Sequence, residues 1–409
     1  MIAPTDRRQH AVFLSGVRVG TLYRRGDATR FEFEPGYWDD PARLVLGLWF
    51  ENNPSESPRA SLRLPAWFSN LLPEGRLREW IADDRGVSTA REMELLLRIG
   101  HDLPGAVTVS EADDRVWREP GHSSAAQAPD ASRQPAAWRF SLAGIGMKFS
   151  MLQRADRLTV PAVDELGDWI VKSPDGAHPH VPINEFAMMR LASRVGIDVP
   201  QIRLVDRSEL PPLPEIAWPN DEHVAFAIER FDRGPAGSRI HIEDFAQVRG
   251  FFADQKYEGA FDTVAALAYR GQHLADLVEF TKRLTFNVLI GNGDAHLKNW
   301  SLLYADGRIP RLSPAYDLVS TGPYAPYPSE DMGLKLRGNR KFERVSLSDF
   351  DRLATRLNAP HAALGDVADQ TIKAFETVWD PDSPALAPIP SVATWIDQRL
   401  PGIITSLRR

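Results

Sequence analysis

One segment, residues 290–317, constrains the fold of this chain more than any other. A predicted helix enters a glycine-bracketed turn that presents Asp294, and Asn299 follows five positions later. Two short apolar stretches then flank Asp306-Gly307, and an Asp-Gly pair in that setting is a strong β-hairpin signal. Asp317 follows the hairpin. The fold must therefore bring two carboxylates and one amide together around a single hairpin.

This order is typical of the active-site half of a protein-kinase-like fold. In such sites an Asp accepts the proton of the substrate hydroxyl, an Asn five residues later binds magnesium, and a second Asp bridges the metal to the phosphates. Mg²⁺ requires oxygen ligands held rigidly. We therefore predict Asp294 as the catalytic base and Asn299 and Asp317 as ligands of Mg²⁺, with ATP as the phosphoryl donor. A polar turn with an incidental Asp and Asn is the alternative.

The upstream half of the chain carries candidate nucleotide-binding residues in the expected order. Gly144 and Gly146 lie between two predicted strands, where backbone amides can reach phosphate oxygens. Lys172 ends a short apolar strand, and Glu185 lies at the start of the next predicted helix, where it can pair with Lys172. Residues 224–231 are predicted as the hinge strand beside the adenine ring. Taken singly, these features fit a plain hairpin loop, a solvated lysine and a helix-capping carboxylate equally well.

Composition excludes several classes of protein. Hydrophobic residues make up 43% and charged residues 25%, which is typical of a globular protein and not of a disordered one. The absence of cysteine excludes disulfides, thiolate zinc sites and cysteine nucleophiles. With 48 Lys and Arg against 55 Asp and Glu, the net charge of −7 disfavours bulk attraction to nucleic acid or membranes. No apolar run is long enough to span a membrane, residues 1–10 lack the apolar core of a signal peptide, and a cytoplasmic location is expected.

The 409 residues predict two to three domains. The fold class is α+β, a protein-kinase-like two-lobed fold with a small N-terminal α+β subdomain and a mainly helical C-terminal lobe. We expect the N-terminal subdomain at 1–105, the kinase N-lobe at 106–232 and the helical C-lobe at 233–409. Residues 119–137 are rich in Pro, Ala and Ser and predict a low-complexity loop. Asn184 is predicted to cap the helix that carries Glu185.

Six ordered segments carry a resemblance to a known family and together span most of the chain. They are 68–76 (FSNLLPEGR), 141–150 (SLAGIGMKFS), 183–192 (INEFAMMRLA), 228–233 (IERFDR), 293–299 (GDAHLKN) and 312–317 (LSPAYD). On these segments the sequence resembles the HipA family of toxin serine/threonine kinases.

The resemblance implies roles for several residues. Lys172 would contact the ATP phosphates, and Glu229 and Phe231 would face the adenine at the hinge. Lys148, on the strand after the phosphate-binding loop, is also predicted to bind ATP. Ser141 would be a site of inhibitory autophosphorylation in that loop. The resemblance also implies a HipB-like helix-turn-helix antitoxin partner, DNA contact only through the antitoxin complex, and a protein substrate such as an aminoacyl-tRNA synthetase, whose phosphorylation arrests growth.

The sequence departs from the family pattern in two segments. The phosphate loop reads Ala143-Gly-Ile-Gly146 without the usual glutamine, and Gly293 stands where threonine is common. Relative to ordinary protein kinases, Lys298 lies four residues after Asp294 and not two. Two other functions stay open. Gly293-Asp-Ala-His296 also resembles the catalytic turn of aminoglycoside and choline kinases, although those enzymes lack the N-terminal subdomain. The chain could also be a catalytically weak kinase-fold corepressor acting with its antitoxin.

Overall fold

The computed structural model describes residues 7–100, 102–111, 147–155, 157–162, 165–324 and 331–409. The predicted phosphate loop with Ser141, Gly144 and Gly146, and the low-complexity loop 119–137, lie outside these ranges. The described residues form three β-sheets, each with helices packed against it.

The first sheet has five antiparallel strands in the order β4-β3-β2-β1-β5. Successive side chains of a strand point to opposite faces, and the pairing of the strands places Val12, Leu22 and Phe31 on one buried face. Gly20 permits close packing there, since an added Cβ would lie 2.5 Å from the Phe31 ring. The strands are β1 (Arg7–Leu14), β2 (Val17–Arg25), β3 (Ala28–Phe33), β4 (Arg59–Ser61) and β5 (Val107–Glu111). Since β5 pairs with β1, this sheet extends past residue 105.

Four helices cover this sheet and complete what we call the N-terminal subdomain. Residues 70–74 separate the second helix from the third, and Gly75, which begins the third helix, takes a positive φ of 53° that glycine adopts without strain. The third helix ends at Gly86, which adopts the left-handed conformation common at helix C-termini. The helices are α1 (Leu48–Asn52), α2 (Ala66–Ser69), α3 (Gly75–Arg85) and α4 (Glu92–Ile99).

The second sheet has the strand order β7-β6-β8-β10-β9 and forms, with one helix, the N-lobe. Successive side chains of these strands point to opposite faces of the sheet, and both faces are buried. Val171 and Ala227 pack toward the N-terminal subdomain, while Phe226 and Ile228 pack toward the helix. The elements are β6 (Lys148–Arg154), β7 (Arg157–Thr159), β8 (Trp169–Lys172), α5 (Val181–Arg194), β9 (Ile202–Asp206) and β10 (Val224–Glu229).

The prediction that Asn184 caps this helix is wrong. Helix α5 begins at Val181, one turn earlier, after His180. Pro182 in its first turn favours this start, since proline needs no hydrogen-bonded N–H there. Asn184 is fully buried inside the helix, where its Nδ2 donates to the Ser320 carbonyl at 2.9 Å. It thereby ties α5 to the segment that follows Asp317.

The described residues from 233 onward form the C-lobe, which is mainly helical as predicted. Its small sheet has the order β11-β12-β13, and the Asp306-Gly307 hairpin is present between the last two strands. The apolar face of the central helix, from Leu277 to Val288, is fully buried. The elements are β11 (His241–Asp244), α6 (Phe245–Arg249), α7 (Phe261–Tyr269), α8 (Leu274–Ile290), β12 (Ser301–Tyr304), β13 (Arg311–Leu312), α9 (Leu347–Arg356), α10 (Leu364–Val378) and α11 (Pro390–Leu407).

None of the helices in the described part of the chain is both long enough and apolar enough to cross a membrane.

A buried carboxyl group joins the N-terminal subdomain to the C-lobe. Glu243 of β11 is fully buried and accepts hydrogen bonds from the Leu48 N–H at 2.9 Å, from Trp67 Nε1 at 3.1 Å and from the Tyr304 hydroxyl. Burial raises the pKa of Glu243 from 4.5 to about 7, although these hydrogen bonds oppose the rise. The folded protein therefore binds a proton at Glu243 more tightly than the unfolded chain does.

The raised pKa of Glu243 predicts that this residue stabilises the fold less as the pH rises. Because the folded pKa is raised, the stabilisation is complete below pH 4.5 and is lost as the pH passes about 7. Glu243→Gln cannot ionise, so the free energy of unfolding of the parent should fall relative to this variant by about 2 kcal/mol between pH 5.5 and pH 8. Urea unfolding at both pH values measures this difference. The exposed Glu79→Gln serves as control, and parallel pH profiles for parent and Glu243→Gln would contradict the prediction.

Candidate active site

A cleft of about 890 Å³ lies between the two lobes, and the N-terminal subdomain contributes part of its wall. Eight residues that the sequence assigns to nucleotide, metal or catalysis line this one cleft, although they come from separate parts of the chain. They are Lys148, Lys172, Glu185, Glu229, Phe231, Asp294, Asn299 and Asp317. The fold therefore brings together every predicted site residue that lies within the described ranges.

The turn that carries Asp294 is built where helix α8 ends. Gly291 ends the helix with a φ of 65°, a left-handed conformation that favours glycine. An added Cβ would also lie 2.4 Å from the Trp395 ring, so both the backbone conformation and the packing require glycine at this position. The Asn292 side chain then accepts a hydrogen bond from the Asp294 N–H at 3.1 Å. Asn299 closes the turn, because its Nδ2 donates to the Asp294 carbonyl at 3.1 Å. These bonds orient Asp294 toward the cleft.

Asp294 is solvent-accessible and has a hydroxyl partner that the sequence analysis missed. The Tyr257 hydroxyl donates a hydrogen bond to the Asp294 carboxylate. The neighbouring protein atoms partly desolvate the carboxylate and raise the pKa of Asp294, while Tyr257 and the charge of Lys256 oppose the rise. Tyr257 also packs edge-on against the His296 ring, with centroids 5.1 Å apart.

Lys172 bridges two carboxylates on the opposite side of the cleft. Its ammonium donates to Glu185 of α5, as predicted, and to Asp317. Burial alone would lower the pKa of Lys172, but the two carboxylates outweigh it and the pKa is raised. Burial would raise the pKa of Asp317, but the nearby charges of Lys148 and Lys172 hold it below its usual range. The pair Lys172 and Asp317 is therefore ionised at neutral pH.

Asp317 occupies a special backbone position. Its φ of 54° lies in the left-handed region, which Asp and Asn tolerate better than other non-glycine residues. Lys148 Nζ lies 4.0 Å from its carboxylate, so two ammonium groups face the same Asp. Just beyond it, the Thr321 hydroxyl accepts a hydrogen bond from the Gly293 N–H at 2.8 Å. This contact ties the segment after Asp317 to the turn that carries Asp294.

The donors in the cleft fit Mg²⁺ better than a softer metal. Because Asn299 uses its Nδ2 on the Asp294 carbonyl, its amide oxygen is the atom that could bind a cation, and Asp317 lines the same cleft. Among the described residues no three His, Asp or Glu side chains form a group that could hold a metal on their own. Mg²⁺ is commonly held by one or two protein oxygens together with substrate phosphates, and these two side chains fit that mode.

The hinge region is fixed by contacts within the protein. The N–H groups of Glu229 and Arg230 donate to the carbonyls of Gln201 and Asp168 at 2.9 and 2.8 Å, so neither is available to an adenine ring. Glu229 could face adenine through its carbonyl or side chain, and the Phe231 ring stands 5.7 Å from that of Tyr316 in the cleft wall.

A buried ion network holds this hinge to the N-terminal subdomain, and sequence patterns did not predict it. Arg230 pairs with Asp102 at 2.9 Å and with Asp232 at 2.8 Å, while Arg233 reaches the same two carboxylates at 2.6 and 2.9 Å. Burial would raise the pKa of Asp232, but the two guanidinium groups outweigh it and keep the pKa well below its usual range. Removing one member would leave an uncompensated buried charge.

Two lobes around a cleft that carries these groups define a kinase-like α+β fold. A model of the HipA-like C-terminal domain matches residues 140–379, and one of the HipA N-terminal domain matches residues 10–110. The chain belongs to the HipA family.

Three similar proteins illustrate this membership. "Putative kinase Y4dM" of Sinorhizobium fredii is 41% identical over 406 residues, 96% of each chain. "Serine/threonine-protein kinase toxin HipA" of Shewanella oneidensis is 26% identical over 302 residues, 66% of each chain. A solved complex of Shewanella oneidensis HipA, HipB and operator DNA contains a chain with the same fold, with a TM-score of 0.72, 21% identity and 97% coverage of both chains.

Proposed function

We propose that this chain is an ATP- and Mg²⁺-dependent serine/threonine protein kinase. The observation that carries the proposal is the placement of Asp294 across one cleft from the Lys172, Glu185 and Asp317 cluster. Catalysis of phosphoryl transfer consists almost entirely of such positioning and charge stabilisation. The names of the relatives support a kinase in general, and the intact site argues against a role as corepressor alone.

In the proposed reaction the substrate hydroxyl donates its proton to the Asp294 carboxylate as its oxygen attacks the γ-phosphorus of ATP. The bond between that phosphorus and the β,γ-bridging oxygen breaks, and ADP leaves with the electron pair. Lys172 and Lys148 would bind phosphate oxygens, and Asn299 and Asp317 would hold Mg²⁺. When bound, this ion would neutralise phosphate charge.

The proposal includes a partner and a substrate class. The structural relative was solved with HipB and operator DNA, which supports a HipB-like helix-turn-helix antitoxin for this chain, with DNA contacted through that complex. An aminoacyl-tRNA synthetase is the first candidate substrate, since its phosphorylation would arrest growth by blocking translation.

The test is transfer of label from γ-labelled ATP in the presence of Mg²⁺. Purified chain is incubated with a protein extract, and in parallel with an aminoglycoside and with choline. Acid-stable label on serine or threonine supports a protein kinase, and label on the small molecules would replace this proposal with a small-molecule kinase. No transfer, together with operator binding alongside a helix-turn-helix partner, would favour the corepressor. Phosphoproteomics after brief induction, compared with Asp294→Asn, would then identify the substrate.

We also propose that Ser141 is a self-inhibitory phosphorylation site. It begins the predicted phosphate loop, outside the described residues, and Lys148 starts the strand that follows. Phosphorylation adds about −1.5 to −2 charge, which would repel the ATP phosphates and compete for the lysines that bind them. We expect mass spectrometry after incubation with Mg-ATP to find phosphate on Ser141, and the modified chain to bind ATP more weakly. Label on Ser150 or on Ser123 and Ser124 in its place, or unchanged ATP binding, would contradict the proposal.

A further inference from the structure

The catalytic turn needs a cation near the transferring phosphoryl group, because charge spreads over its oxygens in the transition state. Three basic side chains line this part of the cleft: His296, Lys298 and Lys256. Their surroundings differ enough to distinguish them.

The Lys298 ammonium uses all of its hydrogen-bond donors on residues of the N-terminal subdomain and the C-lobe. Its Nζ lies 2.8 Å from Asn70 Oδ1, 3.0 Å from Asp244 Oδ2 and 3.5 Å from Glu74 Oε1, and it also reaches the Asn70 carbonyl at 3.3 Å. An ammonium has three N–H donors, so these contacts use all of them. Lys298 therefore holds the N-terminal subdomain to the C-lobe, and its ammonium has no donor left for a phosphate.

His296 lines the cleft but is packed into the protein. Its side chain is buried against Tyr257, and its backbone N–H and carbonyl are both used within the turn, the latter by the Asn299 N–H at 3.0 Å. Its contribution is to support the neighbouring Tyr257 ring.

Lys256 has the placement that the other two lack. Its carbonyl accepts the Leu297 N–H at 3.1 Å, which fixes its backbone on the catalytic turn, and its neighbour Tyr257 donates to the Asp294 carboxylate. Among the described residues its Nζ makes one charged contact, with Glu74 Oε2 at 3.1 Å. Nζ also lies 5.6 Å from the centroid of the Tyr257 ring. Within the described part of the chain, two of its three N–H donors thus have no hydrogen-bond acceptor and remain for an incoming anion.

We infer that Lys256 is a catalytic residue that contacts the transferring phosphoryl oxygens, and that Glu74 is the positioning residue that holds it. This inference rests on the proposed kinase function. As the substrate oxygen bonds to phosphorus and the bond to ADP breaks, Lys256 would stabilise the charge on the phosphoryl oxygens and keep its own proton throughout. The N-terminal subdomain thus supplies one residue, Glu74, to the catalytic centre.

The experiment compares lysine variants by kcat, by ATP binding and by melting temperature. Intrinsic ATP hydrolysis is measured alongside protein phosphorylation, because it needs no identified acceptor. Lys256→Met should lower kcat by about 10² to 10³, the usual effect of removing one preorganised charge-stabilising group, while the Kd for ATP changes by less than about threefold because the contact strengthens in the transition state. Lys256→Arg should restore part of the rate.

Two matched variants separate this role from a structural one. Lys298→Met should lower the melting temperature more than Lys256→Met does, yet keep kcat of the folded fraction within about tenfold of the parent. The exposed Lys373→Met should change neither. Near-parental kcat for Lys256→Met, or a larger loss of kcat for folded Lys298→Met, would overturn the inference while leaving the kinase proposal intact. A parent chain that neither hydrolyses ATP nor transfers phosphate would overturn both.

Discussion

Replacing Asp294 by asparagine should lower phosphoryl transfer by about 10² to 10⁴, the usual contribution of a positioned acid–base group. The side chain keeps its size, so the turn held by Asn292 and Asn299 should stay folded. What is lost is the negative charge and the ability to accept the proton of the substrate hydroxyl. The Tyr257 hydroxyl can still donate to the amide oxygen, which preserves the local packing.

The measurement is a radiolabelled-ATP assay combined with calorimetry. ATP affinity should be largely retained, because Asp294 faces the acceptor side of the cleft while the lysines that would bind phosphate lie on the N-lobe strands. Asp83→Asn, an exposed helical position, is the matched control and should transfer phosphate at the parental rate. Transfer by Asp294→Asn close to the parental rate would remove Asp294 as catalytic base and leave the kinase proposal without its central residue.

The parts of this structure that the sequence predicted are local in the chain. The hairpin at Asp306-Gly307 and the helix that enters the turn of Asp294 each follow from residues that lie close together in the chain. The order of Asp294, Asn299 and Asp317 could be interpreted for the same reason, since each is placed by the end of a helix or by a hairpin. Periodicity and turn chemistry are enough for such features.

The parts that could not be predicted depend on contacts across the chain. Glu74 meets Lys256 across 182 positions and Trp67 meets Glu243 across 176, and no periodic pattern links such residues. Strand β11 was missed because three of its four residues, His241–Asp244, are polar, and their burial depends on pairing with β12. The start of α5, in contrast, could have been predicted from nearby residues. Pro182 is favoured in the first turn of a helix, and this preference indicates the observed start better than Asn184 as an N-cap does.

Asp317 should control how magnesium affects ATP binding. We expect Asp317→Asn to lower kcat by about 10² to 10³ and to weaken binding of Mg-ATP, because one of the two proposed metal ligands loses its charge. Metal-free ATP should bind no more weakly than to the parent, since one negative charge facing the triphosphate is gone. Asparagine is the better substitution than alanine here, because it tolerates the left-handed φ of 54° that this position requires.

Glu185, the other carboxylate that pairs with Lys172, provides the control. Glu185→Gln also removes one of the two carboxylates that Lys172 contacts, but it leaves Asn299 and Asp317 unchanged. Calorimetric titration of ATP with and without Mg²⁺ gives the ratio of the two Kd values for each variant. This ratio should collapse toward one in Asp317→Asn and persist in Glu185→Gln. If Asp317→Asn keeps the parental ratio, Asp317 is not a magnesium ligand, and its contact with Lys172 and Lys148 would then be its whole role in the cleft.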